Sequence, residues 1–448
     1  MNLAVIGTGY VGLVSGVCLA SKGHKVTCFD INKRTINDLK KGISPIFEKG
    51  LESLLASTKE NLSFCVLDSE NERNIMSFDA VLVAVGTPTT NDRADLSQIE
   101  SVGYLMGRLI RNSDKYISII IKSTVIPGTT DTFFKDILEK ESGKKLGDFG
   151  LGMNPEFLRE GNAVEDFLTP DRIVLGYEDA KTLQILKDIY KYWDCEKVSV
   201  NSRSAEMMKY VNNALLATLI STVNEYANIA RRIGNVDFDR VMHGVHLDNR
   251  WSPLDISGKK IYPKIIDYLK PGCGYGGSCF PKDVMAITRL ADDIGVTPKI
   301  LSAVIDVNDN QPRVILDILK GKVNGLGNKR VLLLGLAFKP DTDDVRDSIS
   351  LKLLSLLEGQ VRSLAAHDPI AIENAKRSLD SKVNVDFVKD WRAYLAHADI
   401  VIIATNWSEY IDLTVTVLNN TLEGKIVFDT RGLLTASELP NVTYLTVN

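Results

Sequence analysis

A glycine-rich loop that ends in a cysteine carries the strongest chemical signal in the sequence. Residues 271–283 read Pro-Gly-Cys-Gly-Tyr-Gly-Gly-Ser-Cys-Phe-Pro-Lys-Asp, and this many glycines let a backbone approach a ligand closely. Cys279 ends the loop, and Lys282 and Asp283 follow it. A nearby ammonium group favours the thiolate form of a cysteine, and a carboxylate can move a proton. The pattern fits a nucleophilic cysteine, or else a small buried cysteine in a loop. Cys273 has no such setting and is assigned to packing.

A lysine and an asparagine form a second candidate pair. Lys209 and Asn213 lie four positions apart in a stretch with helical spacing of apolar residues, so both occupy one helix face. A buried lysine beside an amide could stabilise an oxyanion or hold a water molecule. The alternative is an ordinary solvated helix face.

Two glutamates follow a predicted strand. Glu156 and Glu160 lie in the stretch Asn-Pro-Glu-Phe-Leu-Arg-Glu-Gly, directly after Gly-Leu-Gly-Met, and ligands bind at the carboxyl ends of strands in open α/β sheets. The two carboxyl groups fit acid–base chemistry, or charges that stabilise a helix N-terminus. His243 and His246 are close in sequence, but no third ligand is near them, so we predict no metal site.

A glycine-rich turn near residue 7 indicates a dinucleotide site. Gly7-Thr-Gly9-Tyr-Val-Gly12 follows an apolar segment and opens a helical one, and Asp30 ends the next apolar segment 18 positions after Gly12. In this arrangement the first glycine allows the turn, the second admits the pyrophosphate, and the third lets the helix pack on the strand. Asp30 would bind the adenine ribose and repel a 2′-phosphate. We therefore predict NAD rather than NADP; the alternative is a glycine turn in another α/β protein.

Apolar runs and helical spacing predict the elements that must position these groups. The first half alternates strands and helices, which is typical of a parallel sheet covered on both faces. A long helix without Pro or Gly is predicted over 204–233, and a second strand–helix alternation fills the last third. The predicted strands are Leu3–Ile6, Val26–Phe29, Ala80–Val85, Ile117–Ile121, Val198–Val200, Arg330–Gly335, Ile400–Ala404 and Ile426–Phe428.

These elements predict an α/β protein with two Rossmann-like, doubly wound domains, joined by a long central helix and a helical middle domain. The predicted boundaries are 1–200, 201–310 and 311–448. We place the dinucleotide turn in the first domain and the cysteine loop in the second.

Composition and charge exclude several classes of protein. The chain has 448 residues, of which 44% are hydrophobic and 25% charged, and a net charge of −4 without a Lys/Arg-rich block. This balance argues against nucleic-acid binding. The six cysteines form no CxxC pair and no signal peptide is evident, so we expect a reducing, cytoplasmic location. The apolar runs fall short of the roughly 20 residues that a membrane span needs.

The sequence resembles the UDP-glucose/GDP-mannose dehydrogenase family over essentially its whole length. The resemblance rests on ordered motifs, among which the glycine-rich Ser-Cys-Phe-Pro-Lys-Asp stretch is especially specific. The motifs are Gly7–Gly12, Val85–Pro88, Ser123–Thr129, Asn154–Gly161 with Pro170-Asp-Arg172, Lys209 with Asn213, Gly274–Asp283 and Gly335–Ser348.

The resemblance implies a four-electron oxidation of the C6 alcohol of a nucleotide sugar to a carboxylate, with two NAD. By the family pattern, Cys279 forms a thiohemiacetal and then a thioester. Lys209 and Asn213 stabilise oxyanions, Asp283 acts with an ordered water as acid–base partner, and Glu156 serves hydrolysis; Thr124 completes the implied catalytic set. The last predicted domain, 311–448, would bind the sugar nucleotide.

The resemblance also implies two sets of binding contacts. The implied cofactor contacts are Gly7, Gly9, Tyr10, Val11, Gly12, Asp30, Thr87, Thr124, Glu160, Lys282 and Arg346. The implied substrate contacts are Phe157, Leu158, Lys209, Asn213, Tyr268, Tyr275, Gly276, Lys339 and Arg431.

Two positions depart from the family pattern. Thr35 stands where relatives often carry a basic residue. Asp248-Asn-Arg250-Trp matches only loosely a stretch whose arginine reaches a partner subunit. The resemblance favours UDP-glucose as substrate, with GDP-mannose, a UDP-N-acetylhexosamine or a non-catalytic regulator as alternatives. Apolar positions on more than one side of the long helix predict a homodimer or larger homo-oligomer.

Overall fold

Continuous apolar segments form two mainly parallel sheets, one in each half of the chain. We describe them from a computed structural model, which covers residues 1–90, 93–414, 422–439 and 441–447. The chain divides into two units, unit 1 over Met1–Asn212 and unit 2 over Asn213–Asn448. The predicted α/β class with two Rossmann-like sheets is confirmed, and the three-domain division stays a prediction.

Unit 1 contains an eight-stranded sheet in the order β10-β9-β8-β7-β4-β1-β2-β3 and a small hairpin, β5-β6. The strands are β1 Asn2–Ile6, β2 Lys25–Asp30, β3 Leu62–Val66, β4 Ala80–Val83, β5 Thr89–Thr90, β6 Arg93–Ala94, β7 Ser118–Ile121, β8 Gly150–Met153, β9 Arg172–Tyr177 and β10 Glu196–Val200. Strands β8 and β9 pair antiparallel, whereas the other pairings of this sheet are parallel, as predicted. Strand β4 pairs in parallel with β1 and with β7, and this register places the carboxyl ends of the three buried strands side by side, next to the glycine turn.

The helices of unit 1 cover both faces of this sheet. They are α1 Tyr10–Ser21, α2 Lys33–Lys40, α3 Leu51–Ser57, α4 Ser97–Arg111, α5 Lys135–Ser142, α6 Ala163–Leu168 and α7 Ala180–Ile189. Helix α1 is buried continuously from Gly12 to Ala20. Such a helix must approach the strands closely: a Cβ on Gly16 would lie 2.4 Å from the sulfur of Cys28 on β2.

The long helix predicted over 204–233 is confirmed as α8, Ser202–Ile233, with 32 residues. It begins in unit 1 and ends in unit 2. Its first turns are anchored by Glu206, whose buried carboxylate accepts hydrogen bonds from the backbone N–H groups of Gly128 and Thr130 at 2.6 and 2.8 Å. Burial raises the pKa of Glu206 to about 7, against the effect of these hydrogen bonds.

Unit 2 combines helices with a six-stranded parallel sheet in the order β13-β12-β11-β14-β15-β16. Its helices are α9 Phe238–His246, α10 Phe280–Asp293, α11 Lys299–Lys322, α12 Ile349–Leu357, α13 Ile372–Ser378 and α14 Trp391–Tyr394. Its strands are β11 Arg330–Leu334, β12 Ser363–His367, β13 Asp386–Phe387, β14 Ile400–Ile403, β15 Ile426–Asp429 and β16 Thr443–Thr446. No helix within the described ranges is both long and apolar enough to cross a membrane.

Candidate active site

The glycine turn after β1 has the geometry that a dinucleotide site requires. Gly7 has a φ of +100°, and a Cβ there would lie 2.5 Å from the carbonyl oxygen of Ala84. A Cβ on Gly12 would lie 2.0 Å from the carbonyl oxygen of Gly7, whereas a Cβ on Gly9 would have no atom within 4 Å. The first and third glycines are therefore required by packing. The second leaves open space at the N-terminus of α1, where a phosphate is stabilised.

Asp30 supports this turn from the end of β2. One carboxylate oxygen accepts from the backbone N–H and the hydroxyl of Thr8 at 2.8 and 2.7 Å. The other accepts from the backbone N–H of Asn32 at 2.9 Å. The predicted association of Asp30 with the glycine turn is thus direct. These bonds fix the carboxylate where an adenine ribose would have to meet it.

A buried glutamate that sequence analysis missed ties the turn to the predicted Glu160 segment. The Glu48 carboxylate accepts from the hydroxyl of Tyr10 and from the backbone N–H groups of Gly161 and Ala163, the latter two at 2.8 and 2.9 Å. Burial, together with Glu48, raises the pKa of Tyr10. Glu48 lies in a loop with no periodic pattern, and only its position between Leu51 and an apolar Pro-Ile-Phe run could have drawn attention to it.

Two predicted threonines meet at the ends of neighbouring strands. The hydroxyl of Thr87 donates to the backbone carbonyl of Thr124 at 2.8 Å. In the same region Ser123 donates to the carbonyl of Val85 at 2.6 Å. Val11, also a predicted cofactor contact, is half-buried on the first turn of α1. The strand ends therefore form a joined polar rim beside the glycine turn.

Two predicted site residues, Glu156 and Lys209, form a buried ion pair. The lysine Nζ lies 2.8 Å from a Glu156 oxygen, and the two side chains are 4% and 6% exposed. The other Glu156 oxygen accepts from the backbone N–H of Leu158 at 2.6 Å. Burial would raise the pKa of Glu156, yet the Lys209 ammonium, these hydrogen bonds and Lys122 hold it below its usual value. Phe157 packs against the same lysine, with Nζ 5.6 Å from the ring centre.

A second buried lysine, Lys122, was missed by sequence analysis. It follows β7 directly, and its Nζ donates to the side-chain oxygen of Asn154 at 2.7 Å. Burial lowers the pKa of Lys122 to about 8; Glu156 raises it and Lys209 lowers it further. A charged residue immediately after the run Ile-Ile-Ile was the available signal, since such a position is rarely solvated.

In unit 2, Asp283 joins two other predicted residues. This buried carboxylate accepts from the side-chain amide of Asn213 at 2.7 Å and from the Lys282 ammonium at 2.6 Å. Lys282, predicted as a cofactor contact, is therefore an ion-pair partner of Asp283. Asp283 lies in the first turn of α10, and Cys279 is the N-cap residue of that helix. The Cys279 sulfur lies 3.5 Å from the hydroxyl of Ser278.

The cysteine loop is packed so closely that glycine is required at several positions. Gly274 and Gly277 have φ values of +97° and +86°. A Cβ on Gly276 would lie 2.3 Å from the carbonyl oxygen of Asp347, and one on Gly277 would lie 2.6 Å from the ring of Phe338. The glycines therefore serve packing against the segment that follows β11. The close approach of this loop to a ligand stays a prediction.

The remaining predicted contacts surround this loop, also in unit 2. Arg431, predicted to bind the sugar nucleotide, donates to the carbonyl oxygens of Ala404 at 2.7 Å and of Gly274 and Phe338 at 3.4 Å. It therefore fastens the cysteine loop to two neighbouring loops. Arg346 forms an ion pair with Asp344 at 2.8 Å.

Aromatic and cationic side chains complete this part of unit 2. The ring of Phe280 lies 6.5 Å from that of Tyr268 and 6.1 Å from that of Tyr275. The Lys339 ammonium lies 5.5 Å from the ring centre of Phe338. Within the described ranges, no group of three or more His, Cys, Asp and Glu side chains could hold a metal ion.

Alanine substitutions in the glycine turn should distinguish a glycine that leaves room for the ligand from a glycine that the packing of the protein requires. Gly9 has ordinary extended dihedrals, φ −68° and ψ −171°, and open space around its missing Cβ. We expect Gly9→Ala to keep the wild-type Tm but to weaken NAD binding, because the methyl group occupies the space for the pyrophosphate. Gly12→Ala should lower Tm by several degrees, since overpacking costs about 1–3 kcal/mol. Thermal melting and NAD titration measure both; wild-type NAD affinity in Gly9→Ala would contradict this assignment.

Comparison with known proteins agrees with this geometry. The NAD binding domain of the UDP-glucose/GDP-mannose dehydrogenase family matches residues 1–194, its central domain matches 203–310, and its UDP binding domain matches 332–436. The UDP-glucose 6-dehydrogenase YwqF of Bacillus subtilis is 36% identical, over 98% of this chain and 95% of that protein.

Two solved structures cover the whole chain. The UDP-glucose dehydrogenase of Pyrobaculum islandicum is 38% identical with a TM-score of 0.87, over 100% of this chain and 97% of that one. The GDP-mannose dehydrogenase of Pseudomonas aeruginosa is 31% identical with a TM-score of 0.53, over 100% of both chains. The predicted cofactor, NAD, agrees with the family's NAD binding domain. The chain belongs to the UDP-glucose/GDP-mannose dehydrogenase family.

Proposed function

We propose that the protein oxidises the C6 alcohol of UDP-glucose to the carboxylate of UDP-glucuronate, with two NAD consumed per sugar. The observation that carries this proposal is Cys279 at the N-cap of α10, four residues before a buried Asp283 that holds the Asn213 amide. Two relatives named as UDP-glucose dehydrogenases support the choice of UDP-glucose. One is 36% identical to this chain, and the other is 38% identical with a TM-score of 0.87. The GDP-mannose dehydrogenase has a TM-score of 0.53.

The first oxidation removes a hydride and a proton from the C6 alcohol, and the proton passes through a water molecule to Asp283 as the acid–base partner. NAD, when bound, accepts the hydride, and it would be held by the glycine turn, Asp30 and the rim with Thr124. The Lys209 ammonium and the Asn213 amide donate hydrogen bonds to the substrate oxygen where negative charge develops. Asp283 holds Asn213 in a donating orientation, because its carboxylate accepts from the same amide nitrogen.

The second oxidation begins with a bond between the Cys279 sulfur and C6 of the aldehyde. The proton of the Cys279 thiol passes to the aldehyde oxygen, which gives a thiohemiacetal with a tetrahedral carbon. This carbon gives up the second hydride, which a second NAD would accept, and the hydroxyl proton leaves to water. The product is a thioester, so the intermediate stays attached to the enzyme between the two oxidations. Cys279 lies at the N-terminus of α10, where the helix dipole favours negative charge.

Hydrolysis of the thioester then requires an activated water molecule. Water adds to the C6 carbonyl, the carbon–sulfur bond breaks, and the Cys279 thiol and the carboxylate are released. Glu156 takes the proton from water. While Lys209 pairs with it, Glu156 is a weak base, since its pKa is lowered. When Lys209 instead donates to the substrate oxyanion, Glu156 loses part of this stabilisation and becomes a stronger base.

The sugar nucleotide is held by residues around the cysteine loop. We assign Lys339 and Tyr268 to direct contact with it, since an ammonium and an aromatic ring suit a diphosphate and a base. Arg431 supports the loop through three backbone carbonyls, and its remaining N–H groups could reach a phosphate.

The covalent step needs a thiol, and none of the six cysteines is in a disulfide. Both points support a reducing compartment such as the cytoplasm.

Replacing the nucleophile should stop turnover without unfolding the protein. Cys279→Ser is nearly isosteric, so we expect a wild-type Tm and wild-type NAD binding. The rate should fall by several orders of magnitude, because an alkoxide forms less readily than a thiolate. Cys273→Ser is the matched control: Cys273 is buried beside the Ala404 carbonyl, and most activity should remain.

Absorbance of NADH with a panel of nucleotide sugars measures both rate and stoichiometry. The wild type should form two NADH per UDP-glucose and release no free aldehyde. One NADH per sugar, or a fully active Cys279→Ser enzyme, would rule out the thioester mechanism. Turnover of GDP-mannose alone would correct the substrate, and no NADH with any sugar would point to a regulator.

We further propose that the enzyme is a homodimer assembled through α8. Leu215, Tyr226, Ile229 and Ile233 on this helix are 60%, 59%, 49% and 72% exposed, and exposed apolar surface of this extent marks an interface. Light scattering at micromolar concentration should give twice the mass of the chain or more.

Charge placed on this face should dissociate the assembly. We expect Ile229→Glu combined with Ile233→Glu to give monomers, because a buried unpaired carboxylate is costly. Ile43→Glu, at an exposed apolar position in a loop of unit 1, is the control and should leave the mass unchanged. A monomeric wild type would refute the dimer.

A further inference from the structure

The backbone of the cysteine loop is held by amide side chains from two helices. Residues 272–278 lie outside regular secondary structure, so their buried N–H and C=O groups need other partners. Three buried amides supply them: Asn224 from α8, and Asn308 and Gln311 from α11. Asn308 and Gln311 are three positions apart on one helix face.

Asn308 pairs with both backbone groups of a single loop residue. Its side-chain oxygen accepts from the N–H of Tyr275 at 2.8 Å, and its nitrogen donates to the Tyr275 carbonyl at 3.0 Å. An amide side chain carries both the donor and the acceptor that this arrangement requires. Asn308 therefore takes the place that a neighbouring strand would have.

Gln311 and Asn224 hold the loop three residues earlier. Gln311 donates to the carbonyl of Gly272 at 2.8 Å, and the N–H of Gly272 donates to Asn224 at 2.8 Å. Asn228 of α8 donates to the Gln311 oxygen at 3.2 Å, which fixes its orientation. Both backbone groups of Gly272 and of Tyr275 are thus satisfied.

We call Asn224, Asn308 and Gln311 the amide clamp. The loop residues between this clamp and the Cys279 thiol are closely packed. A Cβ on Gly274 would lie 2.6 Å from the Asn308 oxygen. Beyond Tyr275, Gly276 and Gly277 pack against Asp347 and Phe338, and the N–H of Gly277 donates to the Arg346 carbonyl at 2.9 Å. A displacement at Tyr275 is therefore transmitted to Cys279 at the start of α10.

We propose that Asn308 and Gln311 are positioning residues of the reaction, which hold the cysteine loop in the register that presents Cys279 to the substrate; this rests on the proposed role of Cys279. They touch neither cofactor nor substrate in this assignment. Their loss should reduce the chemical step and leave NAD binding unchanged.

The test replaces the amide nitrogen of Asn308 in the full-length enzyme. Asn308→Asp keeps the acceptor for the Tyr275 N–H and removes the donor to its carbonyl. We expect kcat to fall roughly tenfold or more, since a misplacement of about 1 Å can cost a hundredfold, with KM for NAD unchanged. Asn310→Asp makes the same chemical change at an exposed position of the same helix and should behave as wild type.

Alkylation by iodoacetamide reports on the thiol without any substrate. Mass spectrometry of the peptide that contains Cys279 should show a changed rate and pH profile in Asn308→Asp, and unchanged values in Asn310→Asp. A substitution that only lowered stability would leave the alkylation rate and its pH profile unchanged at temperatures well below the Tm. A folded Asn308→Asp enzyme with wild-type kcat and wild-type alkylation would overturn the proposal.

Two further measurements test the proposal if Asn308→Asp does not fold. Gln311→Met removes the donor to Gly272 without burying a charge, and it should also lower kcat. In the wild type, the amide hydrogens of Gly272 and Tyr275 should exchange slowly; rapid exchange there would overturn the clamp by itself. A fully active Cys279→Ser enzyme would instead refute the proposed function, while altered alkylation in Asn308→Asp would still support the clamp.

Discussion

A carboxylate removed from water needs a partner, and helix α8 supplies one to a buried carboxylate in each unit. Lys209 pairs with Glu156, and one turn later Asn213 donates to Asp283. Removing one partner of such a buried pair leaves an uncompensated polar group, which costs several kcal/mol. Each pair therefore holds its own α8 side chain in one orientation within its unit.

Close backbone packing is the second constraint, and it acts in both glycine-rich segments. At Gly7 and Gly12 the turn leaves no room for a Cβ, whereas Gly9 faces open space. In the cysteine loop, Gly274, Gly276 and Gly277 are all closely packed, and amide side chains satisfy the backbone between them. Glycine thus leaves open space at position 9, whereas in the cysteine loop it allows close packing of the backbone.

Sequence patterns predicted those features that depend on neighbours along the chain. The glycine turn, Asp30, helix α8 and eight of the sixteen described strands follow from local periodicity and spacing. Strand β3 was missed although Phe64–Val66 is apolar; it lies at the edge of the sheet, and only its first residue is fully buried. The antiparallel pairing of β8 with β9 depends on which edge of the sheet the chain returns to, and periodicity does not contain that information.

Features set by contacts between distant segments could not be predicted. Lys122, Glu48 and Asn308 are polar residues whose partners lie 32 or more positions away in sequence, so neither spacing nor periodicity identifies those partners. Lys282 and Arg431 were implied as ligand contacts by the resemblance to the family. The structure gives them partners within the protein, Asp283 and three backbone carbonyls.

The most direct test of the central claim, that Cys279 carries the oxidised sugar, is to capture the covalent intermediate. The enzyme would be quenched rapidly with acid during turnover of UDP-glucose, and its cysteine-containing peptides analysed by mass spectrometry. A Glu156→Gln enzyme, in which thioester hydrolysis should be slow, would raise the yield. The account predicts a mass increase equal to the acyl nucleotide sugar on the peptide with Cys279 and none on other cysteines. Unmodified Cys279 in samples that accumulate NADH would contradict it.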